Sequence, residues 1–521
     1  MNRDILIGID AGTSVIKSIA FTLDGRQIDG FALPNIWTPA EGVGAEQDMA
    51  RTWSDTAATL RGLATLIPDL GKRTAAIAVT GQGDGTWLID DEGRPTAPAL
   101  LWLDARAKEI AQGIRASHHG RAIFERTGAG VNACQQGTQL LWLKQHRPEV
   151  VARTATALHC KDWLYYNLTG DRAGDPSESV FTFGNVQTRG KDAEIFVRLG
   201  LEAEAKMIPP IVDGVRQLGA LSEAAAAEIG FPAGLPVALG YVDVVCTALG
   251  AGLYDREKET GCTIIGSTGM HMRFARSAAD LVFNTECTGY TMTFPVGNGF
   301  AQIQSNMAST INIDWLLDLA RGVLSDFNVA VSRKDLLAGV DARVLGAEPG
   351  TLLYHPYISE AGERGPFVDP AARAQFFGIS TRHGFSDMMR AVFEGLAFAA
   401  RDCYEVMGPI PREIRVTGGA ARSKAIRTIF GSVLGAEIRT SKREEAGAAG
   451  AAMMAAVALG LYPDMESCVD AWVTPLLEAP LAPDPALAKI YDRLFPAYVA
   501  ARKASEPTWH ALASRAAGDF S

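Results

Sequence analysis

The apolar residues Ile5, Leu6, Ile7 and Ile9 stop abruptly at Asp10-Ala11-Gly12-Thr13-Ser14. A short apolar run bounded by acidic, glycine and hydroxyl residues predicts a buried strand that ends in a polar loop. The stretch through Ala20-Phe21-Thr22-Leu23 predicts a second strand, with Asp24-Gly25 supplying a hairpin turn. The same pattern returns in the second half of the chain. There Thr263-Ile264-Ile265 leads into Gly266-Ser267-Thr268-Gly269, and Met270 to Phe274 resumes alternation. Two such units imply two related domains, each opening with a strand-turn-strand.

Helical and extended patterns alternate around these units. A helical pattern covers residues 53–66, and Ala75 to Val79 reads as a strand entering the glycine-rich loop of residues 80–86. Residues 139–143 are helical and predict core packing. Leu235 to Gly240 reads as a strand, and the small and apolar residues from Val244 to Ala251 predict a helix starting just after it. Residues 386–405 carry apolar positions at helical spacing. A strand at Ile414 to Thr417, a turn at residues 418–423, a helix to 434, a strand at 437–440 and an Ala-rich helix from 445 follow. This order predicts a mixed sheet flanked by helices, hence an α/β fold. Residues 490–510 read as an amphipathic helix, and no low-complexity segment or tether is evident.

Composition narrows the picture. A chain of 521 residues exceeds one ordinary core, so two large domains are expected, with a hinge near residues 248–257. A net charge of -10 argues against nonspecific nucleic-acid binding. The nearest thing to a membrane span, residues 446–461, is short, rich in glycine and alanine, and follows Lys442-Arg443-Glu444-Glu445, so a packed helix is expected and a membrane partner is not. The seven cysteines form no CxxC pair, which points to free thiols. Residues 1–4 enter a strand without a signal-peptide core, so the expected location is the cytoplasm.

Several positions could carry chemistry. Asp10 at a strand end, beside backbone amides and the hydroxyls of Thr13 and Ser14, suits a divalent metal and phosphate oxygens, though a purely structural hairpin would look the same. Gln82 and Asp84, among three glycines, can bind hydroxyls of a polyol or sugar, or can face solvent in a plain turn. Trp102 offers an apolar face to a carbon chain, while Asp104 and Arg106 read as a local ion pair. Asp243 lies near a helix N-terminus, where capping alone could explain it. His159 beside Cys160 invites a metal site, but no further ligands stand at suitable spacing. Gly418-Gly419 would let a flat ring lie close to backbone.

In this order the pieces resemble the FGGY family of carbohydrate kinases over nearly the whole chain. The family's D-x-G-T-S-x-x-K is met by Asp10, Gly12, Thr13, Ser14 and Lys17, its W-x-D-x-R by Trp102, Asp104 and Arg106, and its L-T-G by Leu168-Thr169-Gly170. Gly240 and Asp243 match its G-x-x-D, Gly266 to Gly269 its second phosphate turn, and Glu363 through Pro370 its E-R-x-P-x-x-D-P. Gly418-Gly419-Ala420 and Glu445 to Ala452 resemble its adenosine turn and the motif after it.

The resemblance implies two actin-like (ribonuclease H-like) domains, residues 1–250 on the polyol or sugar side and 251–521 on the ATP side. ATP and Mg²⁺ would lie in the cleft, and the acceptor would lie deep on its N-terminal side. Asp243 would be the catalytic base and a substrate contact, together with Gln82, Asp84 and Trp102, and Asp10 would help hold the metal. Gly12, Thr13, Ser14, Lys17, Gly266, Ser267 and Thr268 would line the phosphates, and Gly418, Gly419, Ala420 and Ser423 the adenosine. The expected partner is a small-molecule polyol or sugar, and a homodimer is one admissible assembly.

Departures bear on the substrate. Glycerol kinases resemble this loop as Q-R-E and xylulokinases as Q-M-H, whereas here it is Gln82-Gly83-Asp84, and Val244 replaces a frequent Gln or Asn. A shorter acid and an absent side chain at 83 are expected to leave room for a substrate longer than glycerol. Residues 9–18 and 81–87 look most like those of kinases acting on erythritol, which implies transfer from ATP to give erythritol 4-phosphate. Rival readings are a kinase for glycerol, xylitol, xylulose or ribulose, and an actin- or chaperone-like ATP switch.

Overall fold

The computed structural model describes residues 3–516. The first main sheet is built in chain order from Ile5–Ala11 (β1), Val15–Thr22 (β2), Gln27–Pro34 (β3), Thr74–Gly81 (β4), Gly219–Ala220 (β5) and Pro236–Leu239 (β6), lying side by side as β5-β6-β4-β1-β2-β3. The second is built from Thr260–Ile265 (β7), Gly269–Ala275 (β8), Tyr290–Thr293 (β9), Phe300–Asn306 (β10), Glu413–Thr417 (β11) and Glu437–Thr440 (β12), ordered β9-β10-β8-β7-β11-β12. The halves repeat one plan. β1 pairs antiparallel with β2 and parallel with β4, just as β7 pairs antiparallel with β8 and parallel with β11.

The helices that matter for the site are Met49–Leu66 (α1), Cys160–Thr169 (α2), Pro176–Phe183 (α3), Asp243–Ala251 (α4), Phe385–Glu405 (α5), Lys424–Leu434 (α6), Ala446–Ala458 (α7) and Pro485–Ala516 (α8). Side chains alternate across a strand, so each sheet serves two cores. Ile5, Ile7 and Ile9 pack with Leu60 and Leu63 of α1 and Leu164 and Leu168 of α2 on the outer face. Leu6 and the helices α4 and α7 share the inner core with Cys262, Met272 and Ile303 of the second sheet. On the far side, Ile414 and Val416 pack beneath α5, α6 and α8. Asp10 follows Leu6 and Gly8 in the same alternation, and so projects towards the central helical layer.

That layer is tight because its residues are small. A Cβ added at Gly250 would lie 2.1 Å from the Ala446 carbonyl oxygen, one at Gly450 2.0 Å from that of Cys246, and one at Gly8 2.1 Å from that of Ala448. Thus α4 and α7 touch backbone to backbone, and α7 rests directly on β1. The Ala-rich stretch is a packed helix, as its composition predicts, and it packs on the sheet of the opposite half. Among the described residues no helix is long and apolar enough to cross a membrane. All seven cysteines are free thiols.

Candidate active site

The two hairpin turns meet across the inner layer. Thr13 from the β1–β2 turn and Thr268 from the β7–β8 turn line one cavity of about 180 Å³, together with Gln82, Asp84, Trp102 and Asp243. Ser14 and Ser267 hold equivalent places in the two turns and are both exposed. Among the described residues, the hydroxyls of Ser14, Ser267 and Thr268 make no hydrogen bond, which leaves them open to phosphate oxygens. The Cβ positions of Gly12 and Gly266 are open too, the nearest atoms being backbone oxygens at 3.4 and 3.8 Å. The second turn is braced from behind, with the Ser309 and Thr310 amides donating to the Ser267 and Gly266 carbonyls at 2.7 and 3.0 Å.

Two carboxylates face the inner layer. Burial pushes the Asp10 carboxyl up to about 6, with Glu445 adding to the shift and Lys17 opposing it. Burial also holds Asp243 well above the ordinary carboxylate range, and the charge on Asp10 raises it further. Gly447 at the start of α7 admits Asp10, since a Cβ there would fall 2.6 Å from Asp10 Oδ2. The nearby ammonium of Lys17 is already paired with Glu445 at 2.9 Å. Two mutually repelling buried carboxylates, beside a Lys17 ammonium already paired with Glu445, form a donor set that fits a hard divalent cation.

Gln82 and Thr13 are more committed than their motifs suggest. The Thr13 hydroxyl donates to Gln82 Oε1 at 3.1 Å and accepts from Trp102 Nε1 at 2.7 Å. Gln82 Nε2 donates to Gln47 Oε1 at 2.9 Å, and Gln47 in turn holds Asn35, whose amide reaches the Gly12 carbonyl. This chain ties the β1–β2 turn to the loop of Gln82. Asp84 instead keeps one oxygen free. Its Oδ2 accepts from the Tyr290 hydroxyl at 2.9 Å, while Oδ1 is buried without a partner.

Three expectations need correction. Gly83 does not leave open room, because a Cβ there would lie 2.5 Å from Val242 Cγ2. The glycine admits the Val242 side chain just before Asp243, not a longer substrate. The cavity is also not confined to the N-terminal side: Tyr290, Met270, Met292, Ile303 and Arg364 line it from the second half. Arg364 could be suspected from its E-R-x-P setting. Tyr290 carries no local signal, because only the docking of β9 on the first half brings it in. Ser423, finally, caps α6 by accepting from the Ile426 amide at 3.1 Å and donates to Asp341 at 2.6 Å.

Behind the cavity sits a buried ionic cluster. Lys161 is fully buried among Asp162 at 3.1 Å, Asp175 at 2.7 Å and Glu178. His159 belongs to this cluster through Asp162 at 3.3 Å, so its role is ionic and structural, not that of a metal ligand beside Cys160. Glu178 Oε1 accepts the Asp84 amide at 2.8 Å, and the Ser177 hydroxyl accepts the Val242 amide at 3.0 Å. One cluster on α2 and α3 therefore fixes both the loop of Asp84 and the start of α4. Asp104 and Arg106 form the expected ion pair at 2.6 Å, with Glu46 joining at 2.9 Å.

A second hollow of about 530 Å³ opens at the end of β11, lined by Gly418, Gly419, Arg422, Lys442 and Glu444. Gly418 has φ +93°, and a Cβ there would sit 2.5 Å from the Ile265 carbonyl, so the turn needs glycine. The Cβ position of Gly419 is open, and a planar ring can approach its backbone. Ala420 turns towards the core beneath α6.

Comparison with known proteins agrees with this geometry. Residues 5–250 match the model of the FGGY family of carbohydrate kinases, N-terminal domain, and residues 261–459 match that of its C-terminal domain. The chain is 52% identical over 511 residues to erythritol kinase of Brucella abortus, covering 98% of each protein. It is 27% identical to a xylulose kinase of Staphylococcus epidermidis, over 91% of this chain and 92% of that one. Among solved structures it is similar to xylulose kinase from Rhodospirillum rubrum, with TM-score 0.85, 26% identity and coverage of 97% and 100%. Its fold is also that of Plasmodium falciparum glycerol kinase with ADP, with TM-score 0.82, 17% identity and coverage of 96% and 98%. The paired hairpins, the carboxylates between them and these matches make one conclusion: the chain belongs to the FGGY family of carbohydrate kinases.

Proposed function

We propose that the protein transfers the γ-phosphoryl group of ATP to a terminal hydroxyl of erythritol, giving erythritol 4-phosphate and ADP. The observation that carries this reading is a single small cavity holding a hydroxyl-reading acid, Asp84, a proton acceptor, Asp243, and a phosphate turn at Thr268. The 52% identity to an erythritol kinase over nearly the whole chain supports the choice of acceptor. The cavity, at about 180 Å³, is small beside the roughly 300–1,000 Å³ of drug-sized sites, as a compact polyol requires.

Each residue then has a physical task. Asp84 Oδ1 accepts a hydrogen bond from an acceptor hydroxyl, and Trp102, Met270 and Met292 pack against its carbons. Asp243 takes the hydroxyl proton as the oxygen bonds to phosphorus and ADP departs with the bridging oxygen's electron pair. Its raised proton affinity suits that role. Lys17 and the turns bearing Thr13, Ser14, Ser267 and Thr268 neutralise and orient the phosphates. Gly418 and Gly419 receive the adenine ring. Asp10 would hold Mg²⁺, which when bound neutralises charge on the phosphate oxygens. Residues 1–250 would form the acceptor-binding domain and 251–521 the nucleotide-binding domain, with the acceptor cavity shared between them.

A coupled ADP-release assay over erythritol, glycerol, xylitol, threitol, xylulose and ribulose tests the proposal. Erythritol should give the highest kcat/KM. Weak turnover of erythritol beside strong turnover of another compound would refute the acceptor assignment, and ATP hydrolysis indifferent to every acceptor would favour an ATP switch instead.

A further inference from the structure

We propose that Tyr290 is a positioning residue through which the second half of the chain sets Asp84 for acceptor recognition and thereby sharpens selectivity. This rests on reading the cavity as the polyol site. Tyr290 lies on β9, at the edge of the second sheet, yet its hydroxyl donates to Asp84 Oδ2 at 2.9 Å in the first half. Its acceptor side is already used, because Asn132 Nδ2 donates to the same hydroxyl at 3.2 Å. The phenolic proton is therefore directed at Asp84. The Cys134 thiol faces the same Oδ2 at 3.4 Å.

The result is an asymmetric carboxylate. Oδ2 is satisfied by the protein, whereas Oδ1 is buried, has no partner, and belongs to a residue lining the cavity. A carboxylate kept only for stability would have both oxygens paired, since an unpaired buried oxygen is costly. Asp84 also has φ +54°, a left-handed backbone that a side chain rarely adopts. The Glu178 carboxylate holds its amide at 2.8 Å, and Tyr290 holds its side chain, so the orientation is fixed from both ends.

Tyr290 is itself immobilised. Its ring meets Phe181 edge-to-face at 5.2 Å and 82°. The backbone on either side of it is stitched to the first half, with the Gly130 amide donating to the Gly289 carbonyl at 2.9 Å and the Thr291 amide to the Gly128 carbonyl at 2.7 Å. An acceptor that brings a hydroxyl to Oδ1 completes the carboxylate's hydrogen bonds. One lacking that hydroxyl leaves a buried oxygen unpaired and is rejected, which is a stronger filter than apolar contact provides.

The test is a double-mutant cycle with wild type, Tyr290→Phe, Asp84→Asn and the double variant. Steady-state kinetics are measured with erythritol and with 1,2,4-butanetriol, which lacks one hydroxyl, and thermal melts are recorded for all four. Tyr290→Phe should raise the acceptor KM about tenfold, leave the KM for ATP within about twofold, and reduce discrimination against butanetriol. The double variant should lose no more than Asp84→Asn alone. Additive losses would overturn the proposal, as would a Tyr290→Phe defect that lowers the melting temperature and raises both KM values together. A wild type that prefers another polyol would refute the erythritol assignment, and the cycle repeated with that polyol and its deoxy analogue would still decide for or against Tyr290.

Discussion

At the scale of single residues, the site is defined by carboxylates held in different electrostatic states. Asp243 sits well above the ordinary range because it is buried and faces Asp10. It accepts a proton only above its own pKa, so kcat/KM should fall on the acid side with a limb displaced upward from the roughly 3.9 of a free aspartate. Replacing it, Asp243→Asn, should reduce kcat by about 10²–10⁴-fold while ATP affinity, read by calorimetry, stays near wild type. A near wild-type rate would remove its role as base. Asp10 makes a thermodynamic prediction. Its folded pKa of about 6 exceeds the 3.8 of an exposed aspartate, so ionising it destabilises the ligand-free fold as pH rises from 3.8 through 6. Asp10→Asn should therefore raise the melting temperature of nucleotide-free protein by a few degrees above pH 6, with no gain below pH 4. An equal gain at both pH values would show that the carboxyl's charge is not the cause.

At the scale of elements, glycines with opposite surroundings give opposite expectations. Gly450 on α7 lies against α4, with 2.0 Å between an added Cβ and the Cys246 carbonyl oxygen. Gly450→Ala must push apart the helix that starts at Asp243 and the one beside Asp10. It should cost about 1–3 kcal/mol of stability and lower activity more than stability alone explains. Gly113 lies inside the helix Lys108–Ala116, with nothing within 4 Å of an added Cβ. Gly113→Ala should stabilise by about 0.4–1 kcal/mol with activity unchanged. Chemical denaturation of the two variants, beside turnover, checks both signs. What separates the two positions is the space around each glycine, which the packing of distant elements sets.

At the scale of the molecule, the halves interlock instead of merely touching. Helix α7 belongs to the second half by sequence but rests on β1 and shares its core with Leu6, Ala76 and Ala78 of the first. A fragment of residues 1–250 would expose that face, so it should aggregate or stay unfolded, while the full chain should melt in one transition by calorimetry. Two well-separated transitions would contradict this. The ion pair of Lys17 with Glu445 also crosses the halves, at 2.9 Å and partly exposed. Its contribution to stability should be under about 1 kcal/mol. With Lys17 assigned to phosphate in the proposed function, Glu445 would compete for its ammonium, so Glu445→Gln should tighten ATP binding; weaker binding in titration calorimetry would mean that Glu445 has another task.

Much of this was legible along the chain because it depends on local pattern. The apolar run before Asp10, the glycine and hydroxyl turns, the repeat at Gly266 and the alternation across each strand determine two related α/β units and the placing of Asp10 at a strand end beside a glycine and hydroxyl turn. These follow from backbone geometry and period-two burial, which act over a few residues. What only the tertiary structure decided concerns groups far apart in sequence. The space beside Gly83 is filled by Val242, Ser423 is engaged with Asp341, α7 lies on the opposite sheet, and Tyr290 reaches Asp84 across 206 positions. Packing and hydrogen-bond completion between distant segments leave no periodicity in sequence, so the residues that finish the cavity between the hairpin turns emerge only when the two halves pack together.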